Sequence, residues 1–269
     1  MTGPTLHLPR RRRIPRLTPP RAAAILGVLA ALGGLYGLGA TSAFTYTRAE
    51  MPHLRWTSRT DVESAIGIPA GANLFRIRVG PIEDRIMALP GVESASVSVS
   101  LPDTLVIGVR ERTAILAWAV GDARWLVDRN GVVFAGMPPG DAAAAGLPVI
   151  VDEREPSAGL AVGARLDPVD LDAARRLGSL VPADIGSAAD RLLVTISDGP
   201  GFVVGTSPGS WVAVFGLYTA SLRTPELIPA QVRLLRSLLD GRESLVAQVF
   251  LSDAENGTYV PKPTPGVAP

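Results

Sequence analysis

The chain contains no cysteine, which excludes disulfide bridges, structural thiolate zinc and a cysteine nucleophile. Histidine is almost as scarce. His7 lies in an arginine-rich stretch and His53 stands alone, so a Ser-His-Asp triad or a multi-histidine metal site has almost nothing to be built from. Lys262 is the one lysine and sits among prolines, leaving Schiff-base chemistry without a placed amine. Charged residues make up 19% and apolar residues 47% of 269, too apolar a balance for a disordered chain, so the excess must be buried. Most hydrolases are disfavoured. No enzyme, cofactor, metal, nucleic acid or small-molecule substrate is expected.

What is present is unevenly spread. Residues 1–21 hold six arginines (Arg10, Arg11, Arg12, Arg13, Arg16 and Arg21) and no acid, whereas the remainder holds 20 basic and 25 acidic residues. Residues 22–43 carry no charge, and 22 residues at about 1.5 Å each reach about 33 Å, enough for a hydrocarbon core of about 30 Å. This reads as a transmembrane helix. The arginine block before it, with no such block after it, places the N-terminus in the cytoplasm and the bulk of the chain outside. They also suit contact with anionic lipid better than with nucleic acid. A cleaved signal would have an apolar core of about 7–15 residues, and the longer run here favours a retained anchor. Gly33 and Gly37 form a GxxxG spacing that could pack against another helix.

Beyond the span the pattern alternates between helical and strand periods. Thr60 and Glu63 read as a capping box opening a helix that Gly67 stops. Pro81 suits a first helical position, with Ile82, Ile86 and Leu89 on one face. Ala95, Val97, Val99 and Leu101 then alternate with serines, and Leu105, Ile107 and Val109 alternate again after a Pro102-Asp103 turn. A strand is expected in residues 44–56. Asn130-Gly131 between two apolar runs predicts a hairpin with a type I′ turn. Helices are expected over 166–180 and 225–239, a hairpin over 192–204, and strands over 211–218 and 245–251. Asp103 and Asp128 read as turn formers, and the serines from Ser94 to Ser100 have no base to activate them.

Two helices on a three-stranded sheet are the architecture of a POTRA module. The segments Ile68-Pro69-Ala70-Gly71-Ala72-Asn73-Leu74-Phe75, Ala88-Leu89-Pro90-Gly91-Val92-Glu93-Ser94-Ala95 and Ser100-Leu101-Pro102-Asp103-Thr104-Leu105-Val106-Ile107 resemble the POTRA domain of the bacterial cell-division family FtsQ/DivIB. The resemblance extends through Trp125-Leu126-Val127-Asp128-Arg129-Asn130-Gly131-Val132-Val133-Phe134 to Gly146-Leu147-Pro148-Val149-Ile150. It implies an α+β protein with a single N-terminal transmembrane helix, a POTRA domain and a mixed-sheet β domain ending in an edge strand. The expected boundaries are 1–21 for a cytoplasmic basic tail, 22–43 for the span and 44–113 for the POTRA domain. An FtsQ-type β domain over 114–253 and a disordered Pro-rich tail over 254–269 complete them.

The resemblance also implies a non-enzymatic divisome scaffold at the septum, joining early and late division proteins. Its partners would be FtsB/DivIC-like and FtsL-like coiled-coil proteins, and septal peptidoglycan synthases. Partner binding is expected on the last strand, at Val246, Gln248, Val249, Phe250, Leu251 and Ser252, because an edge strand offers unpaired backbone groups. Where the family often shows an Asp-Leu-Arg run, this chain reads Gln248-Val249-Phe250-Leu251-Ser252. The alternative is a POTRA-containing receptor or chaperone of an envelope secretion or assembly system, which would usually bring tandem POTRA repeats or a β-barrel.

Overall fold

The computed structural model describes residues 18–40, 44–137, 140 and 146–263. Arg10, Arg11, Arg12, Arg13 and Arg16, the last three residues of the expected span and residues 264–269 lie outside the described residues. The chain divides into two compact units: Met1–Glu50 with Ile68–Val79 and Val97–Val106, and Met51–Gly67 with Gly80–Ser96 and Ile107–Pro269.

In the first unit, helix α1 (Pro19–Ala40) runs for 22 residues. It covers residues 22–40 of the span expected over 22–43, and among the described residues no helix is long and apolar enough to cross a membrane. Strand β1 (Arg48–Glu50) is only three residues long, shorter than the expected strand, and pairs in parallel with the start of β3 (Thr104–Glu111). With β2 (Val92–Ser100) they form a sheet of order β1-β3-β2. The expected alternation holds at Val97, Leu105 and Ile107, which are buried, but Val99 and Leu101 are exposed.

In the second unit, α2 (Arg59–Ile66) is capped by Ser58, whose side chain accepts from Thr60 N, rather than by the expected Thr60. Gly67 ends α2 at φ 57°, in the left-handed region where glycine costs least. Helix α3 (Gly80–Met87) starts one residue before Pro81 and buries Ile82 and Ile86. Arg85 of α3 donates to Ala65 O (2.7 Å) and Ile66 O (2.5 Å), satisfying carbonyls that the end of α2 leaves open. The Glu111 carboxylate accepts from the backbone N–H groups of Arg55, Trp56 and Thr57 at 2.7 Å each, fixing the approach to α2.

The second unit also holds a nine-stranded mixed sheet. Its strands are β4 (Ala114–Val120), β5 (Ala123–Asp128), β6 (Val133–Gly136), β7 (Val149–Asp152), β8 (Arg191–Ser197), β9 (Gly201–Ser207), β10 (Val212–Gly216), β11 (Val246–Leu251) and β12 (Gly257–Pro261). Their order is β12-β11-β10-β9-β8-β7-β4-β5-β6. Helices α4 (Pro168–Gly178) and α5 (Ile228–Leu239) contribute Ala173, Ala174, Leu177, Ile228, Leu235 and Leu239 to a core shared with Trp118, Phe202, Trp211 and Phe215.

The turn between β5 and β6 departs from the expected type I′, because Asn130 has negative φ and only Gly131 is positive, at 78°. Asp128 is the reason. Its carboxylate accepts from Asn130 N and Val132 N, and Gly131 N donates to Asp128 O, which builds a three-residue loop with glycine at the left-handed position. Asp128 is therefore a turn former, and Arg112 pairs with it at 2.6 Å while also donating to Pro90 O.

Candidate functional site

The strand expected to be last and at the edge, β11, is neither. It lies between β10, with which it runs parallel, and β12, with which it runs antiparallel. Val246, Val249 and Leu251 are buried in the core, Gln248 is half-buried, and only Phe250 and Ser252 are exposed. The true edge is β12, whose five residues are all exposed and which occupies part of the stretch expected to be a disordered tail. The prolines at 261 and 263 dominated the reading of that stretch. The signal that could have found the strand is Thr258-Tyr259-Val260, three β-formers following an Asp253–Asn256 turn.

That turn is tightly made. Asp253 accepts from Glu255 N, Asn256 N and Asn256 Nδ2 at 2.7–2.8 Å, and these hydrogen bonds, led by that from the Asn256 side chain, hold its carboxyl below the usual range. Gly257 follows, and a Cβ there would meet Leu238 and Leu234 of α5 at 3.1 and 3.2 Å, so the start of β12 lies hard against that helix. Ser252 N donates to Asn256 O and Lys262 N to Leu245 O, so the chain directs the backbone groups of even-numbered residues toward β11. By the alternation of an antiparallel ladder, Gly257 and Tyr259 then turn their N–H and C=O groups outward, and Pro261, also facing outward, has no N–H to offer.

The edge is braced from beneath by polar groups that sequence reasoning missed. Gln231 stands in the apolar stripe of α5 and is fully buried. It accepts from Tyr218 Oη (2.7 Å) and donates to Phe215 O (3.2 Å) and Leu251 O (3.0 Å), tying together the ends of β10 and β11. Arg223 donates to the same two carbonyls at 2.6 and 2.8 Å, and also to Ser252 O. Burial pushes the Tyr218 phenol up, despite the nearby Arg223 charge. At the other end of the strands Glu243 accepts from Trp211 Nε1 (2.9 Å), Ala188 N (3.0 Å) and Ser187 Oγ. Desolvation opposes its ionisation, but these bonds outweigh it and hold the carboxyl below its ordinary value.

Cross-strand register gives the adjoining sheet face two rows, Leu193-Gly205-Val212-Gln248-Val260 and Thr195-Val203-Val214-Phe250-Thr258. Leu193, Val212, Phe250 and Val260 are exposed. Edge and face together offer main-chain hydrogen bonds beside an apolar surface, which suits a protein strand rather than a small polar ligand.

A second cluster surrounds Asp152, which is buried and accepts from Trp118 Nε1 (3.0 Å), Ser157 Oγ (2.6 Å) and Arg154. Arg154 also donates to Asp170 of α4 at 2.7 Å. The cluster lines an open cleft of about 480 Å³, but its charges are spent on one another. Among the described residues no group of three or more His, Asp or Glu side chains could hold a metal ion.

An exposed edge strand beside an apolar sheet face is the kind of surface on which polypeptides exchange main-chain hydrogen bonds. Residues 53–112 match the family model of the FtsQ-type POTRA domain. The chain is 32% identical over 152 residues to the cell division protein FtsQ of Mycobacteroides abscessus, covering 56% of this chain and 47% of that one. Against FtsQ of Koribacter versatilis it is 28% identical over 218 residues, covering 75% and 62%. Against the cell division protein DivIB of Clostridium acetobutylicum it is 33% identical over 64 residues, covering 24% and 26%. These matches bear out the resemblance to the FtsQ/DivIB family of cell-division proteins. The chain spans about half the length of the first curated relatives it matches.

Proposed function

We propose that the chain is a non-enzymatic, single-pass membrane scaffold of the bacterial divisome, located at the septum, which captures a partner by adding a strand to β12. The partners proposed are FtsB/DivIC-like and FtsL-like coiled-coil proteins, with septal peptidoglycan synthases beyond them. The observation that carries the reading is the free edge of β12, with the outward backbone groups of Gly257 and Tyr259 beside Phe250 and Val260. Of the residues first expected to bind, Phe250 and Ser252 remain candidates for direct contact, while Val246, Val249 and Leu251 support the edge from the core.

The anchor is α1. After Arg21 every residue to Ala40 is Ala, Gly, Ile, Leu, Val or Tyr, so the helix has no polar face to turn toward water. With a block of six arginines before it and no such block after it, the N-terminus lies in the cytoplasm and the two-helix module and large sheet lie outside.

The test uses proline at the two parities of β12. Tyr259→Pro removes an outward N–H and should leave the melting profile intact while abolishing capture of the partner and division function. Tyr259→Ala should weaken capture much less. Val260→Pro removes a hydrogen bond to β11 and should instead lower stability. Unimpaired capture by folded Tyr259→Pro overturns strand addition.

A further inference from the structure

Resting on the reading of α1 as a membrane anchor, we infer that the loop over residues 71–78 is a second membrane contact, seating Phe75 among anionic phospholipid headgroups with Arg76 and Arg78 on their phosphates. The argument begins with reach. Three residues separate Ala40, the last of α1, from Phe44, and an extended chain covers at most about 3.6 Å per residue, so Phe44 lies within about 14 Å of the helix end. Phe44 meets Phe75 edge-on, with ring centroids 5.2 Å apart and planes at 71°. Tyr46 N donates to Ala72 O (2.8 Å), Gly71 N donates to Tyr46 O (3.0 Å), and Thr45 bridges to Asn73. The loop is therefore held to the chain just where that chain leaves α1.

The loop is also built to present its side chains. Asn73 Oδ1 accepts from Phe75 N at 2.9 Å and starts a single 3₁₀ turn over Leu74–Arg76. That turn buries Leu74 and leaves Phe75 53% exposed. Arg76 and Arg78 are exposed, and neither pairs with a carboxylate among the described residues. Residues 68–79 contain no acid. Leu101, 51% exposed, lies in the turn whose Asp103 O accepts from Thr47 N, which sets a second apolar side chain beside the same entry. The carboxylate of Asp103, the acid of that turn, is occupied by Arg48 and Thr47. An exposed aromatic flanked by unpaired arginines, tethered within one loop length of a span, has the composition of an interfacial anchor. Anionic headgroups supply the complementary charge.

The absence of native cysteine allows a single thiol label to be read cleanly. The full chain, carrying an environment-sensitive dye on Phe75→Cys or on Leu29→Cys, is reconstituted in phosphatidylcholine vesicles with or without about one quarter phosphatidylglycerol. Expected is quenching of the Leu29→Cys label by a nitroxide deep in the acyl chain. The Phe75→Cys label should be quenched by a nitroxide near the headgroup. The latter should fall about twofold or more without phosphatidylglycerol, or when Arg76→Glu and Arg78→Glu are added to a variant with an unchanged melting profile. If Leu29→Cys is quenched while Phe75→Cys stays open to aqueous iodide, the loop faces water or a protein and the inference is overturned with the anchor intact. Equal headgroup quenching in all cases overturns the assignment to anionic lipid. Failure at Leu29→Cys overturns the anchor, and the loop contact with it.

Discussion

Gln231 shows how much can depend on one amide. In the stripe Ile228, Val232, Leu235 and Leu239 it reads as an intruder, yet it is fully buried and spends its oxygen on Tyr218 and its nitrogen on two strand-end carbonyls. Gln231→Leu keeps the volume but orphans the Tyr218 hydroxyl and removes one of two donors from Phe215 O and Leu251 O. A loss of about 1–3 kcal/mol is expected, read as a lower urea midpoint with unchanged slope. An unchanged midpoint would show that the network is dispensable. Asp152 sets an acid limit. Burial raises its carboxyl, but the bonds from Arg154 and Ser157 outweigh that and hold it below the ordinary value. A folded pKa below the unfolded value of about 3.9 contributes stability above that pH and loses it as pH falls through the folded value. Asp170 faces the same guanidinium, yet burial dominates and raises it, so its ionisation opposes folding as pH climbs through the carboxylate range. Stability should therefore fall steeply below about pH 4, and less steeply in Asp152→Asn. Identical acid profiles for both proteins would remove Asp152 from the account. Neither network was legible in the sequence, because each joins residues from separate elements and no local pattern marks a buried amide or a paired aspartate.

At the scale of elements, periodicity was informative where one face is buried and silent where it is not. The alternation of β2 located the strand, but its burial stops after Val97, and Val99 and Leu101 lie open. Val97→Asp should cost several kcal/mol, as an order of magnitude for burying a carboxylate without a partner, whereas Val99→Asp should change the thermal midpoint little. Equal shifts would contradict the observed facing of β2. The helices over 166–180 and 225–239 were found to within a few residues, since their caps and stripes are local. Position within a sheet is not local. Nothing between Val246 and Leu251 marks β11 as interior, because that depends on β12 folding back through the Asp253 turn, and Pro261 and Pro263 hide β12 from a reading by composition. Pro261 fits the outward-facing side of an edge strand, so the residue that obscured the strand also identifies its place. The hairpin at Asn130-Gly131 was likewise found from the sequence, while its turn type was decided by the Asp128 carboxylate.

For the whole molecule, the short motifs that carry the resemblance to FtsQ/DivIB proteins lie in residues 68–150, the alignment to the Koribacter versatilis protein runs over 218 residues, and the part proposed to bind a partner is the end of the large sheet. The proposed role rests on the resemblance, and the proposed surface rests on the geometry: an edge strand braced by Gln231 and Arg223 and flanked by Phe250 and Val260. The most direct measurement is photo-crosslinking from that edge in dividing cells, with a benzophenone side chain replacing Tyr259 in the membrane-bound full chain. A second probe replaces Ser237 on the exposed side of α5. The account predicts an adduct from Tyr259 to a small coiled-coil membrane protein, formed at the septum, with none from Ser237. An adduct from Ser237 with none from Tyr259 would contradict it and move the partner site from the strand edge to the helix.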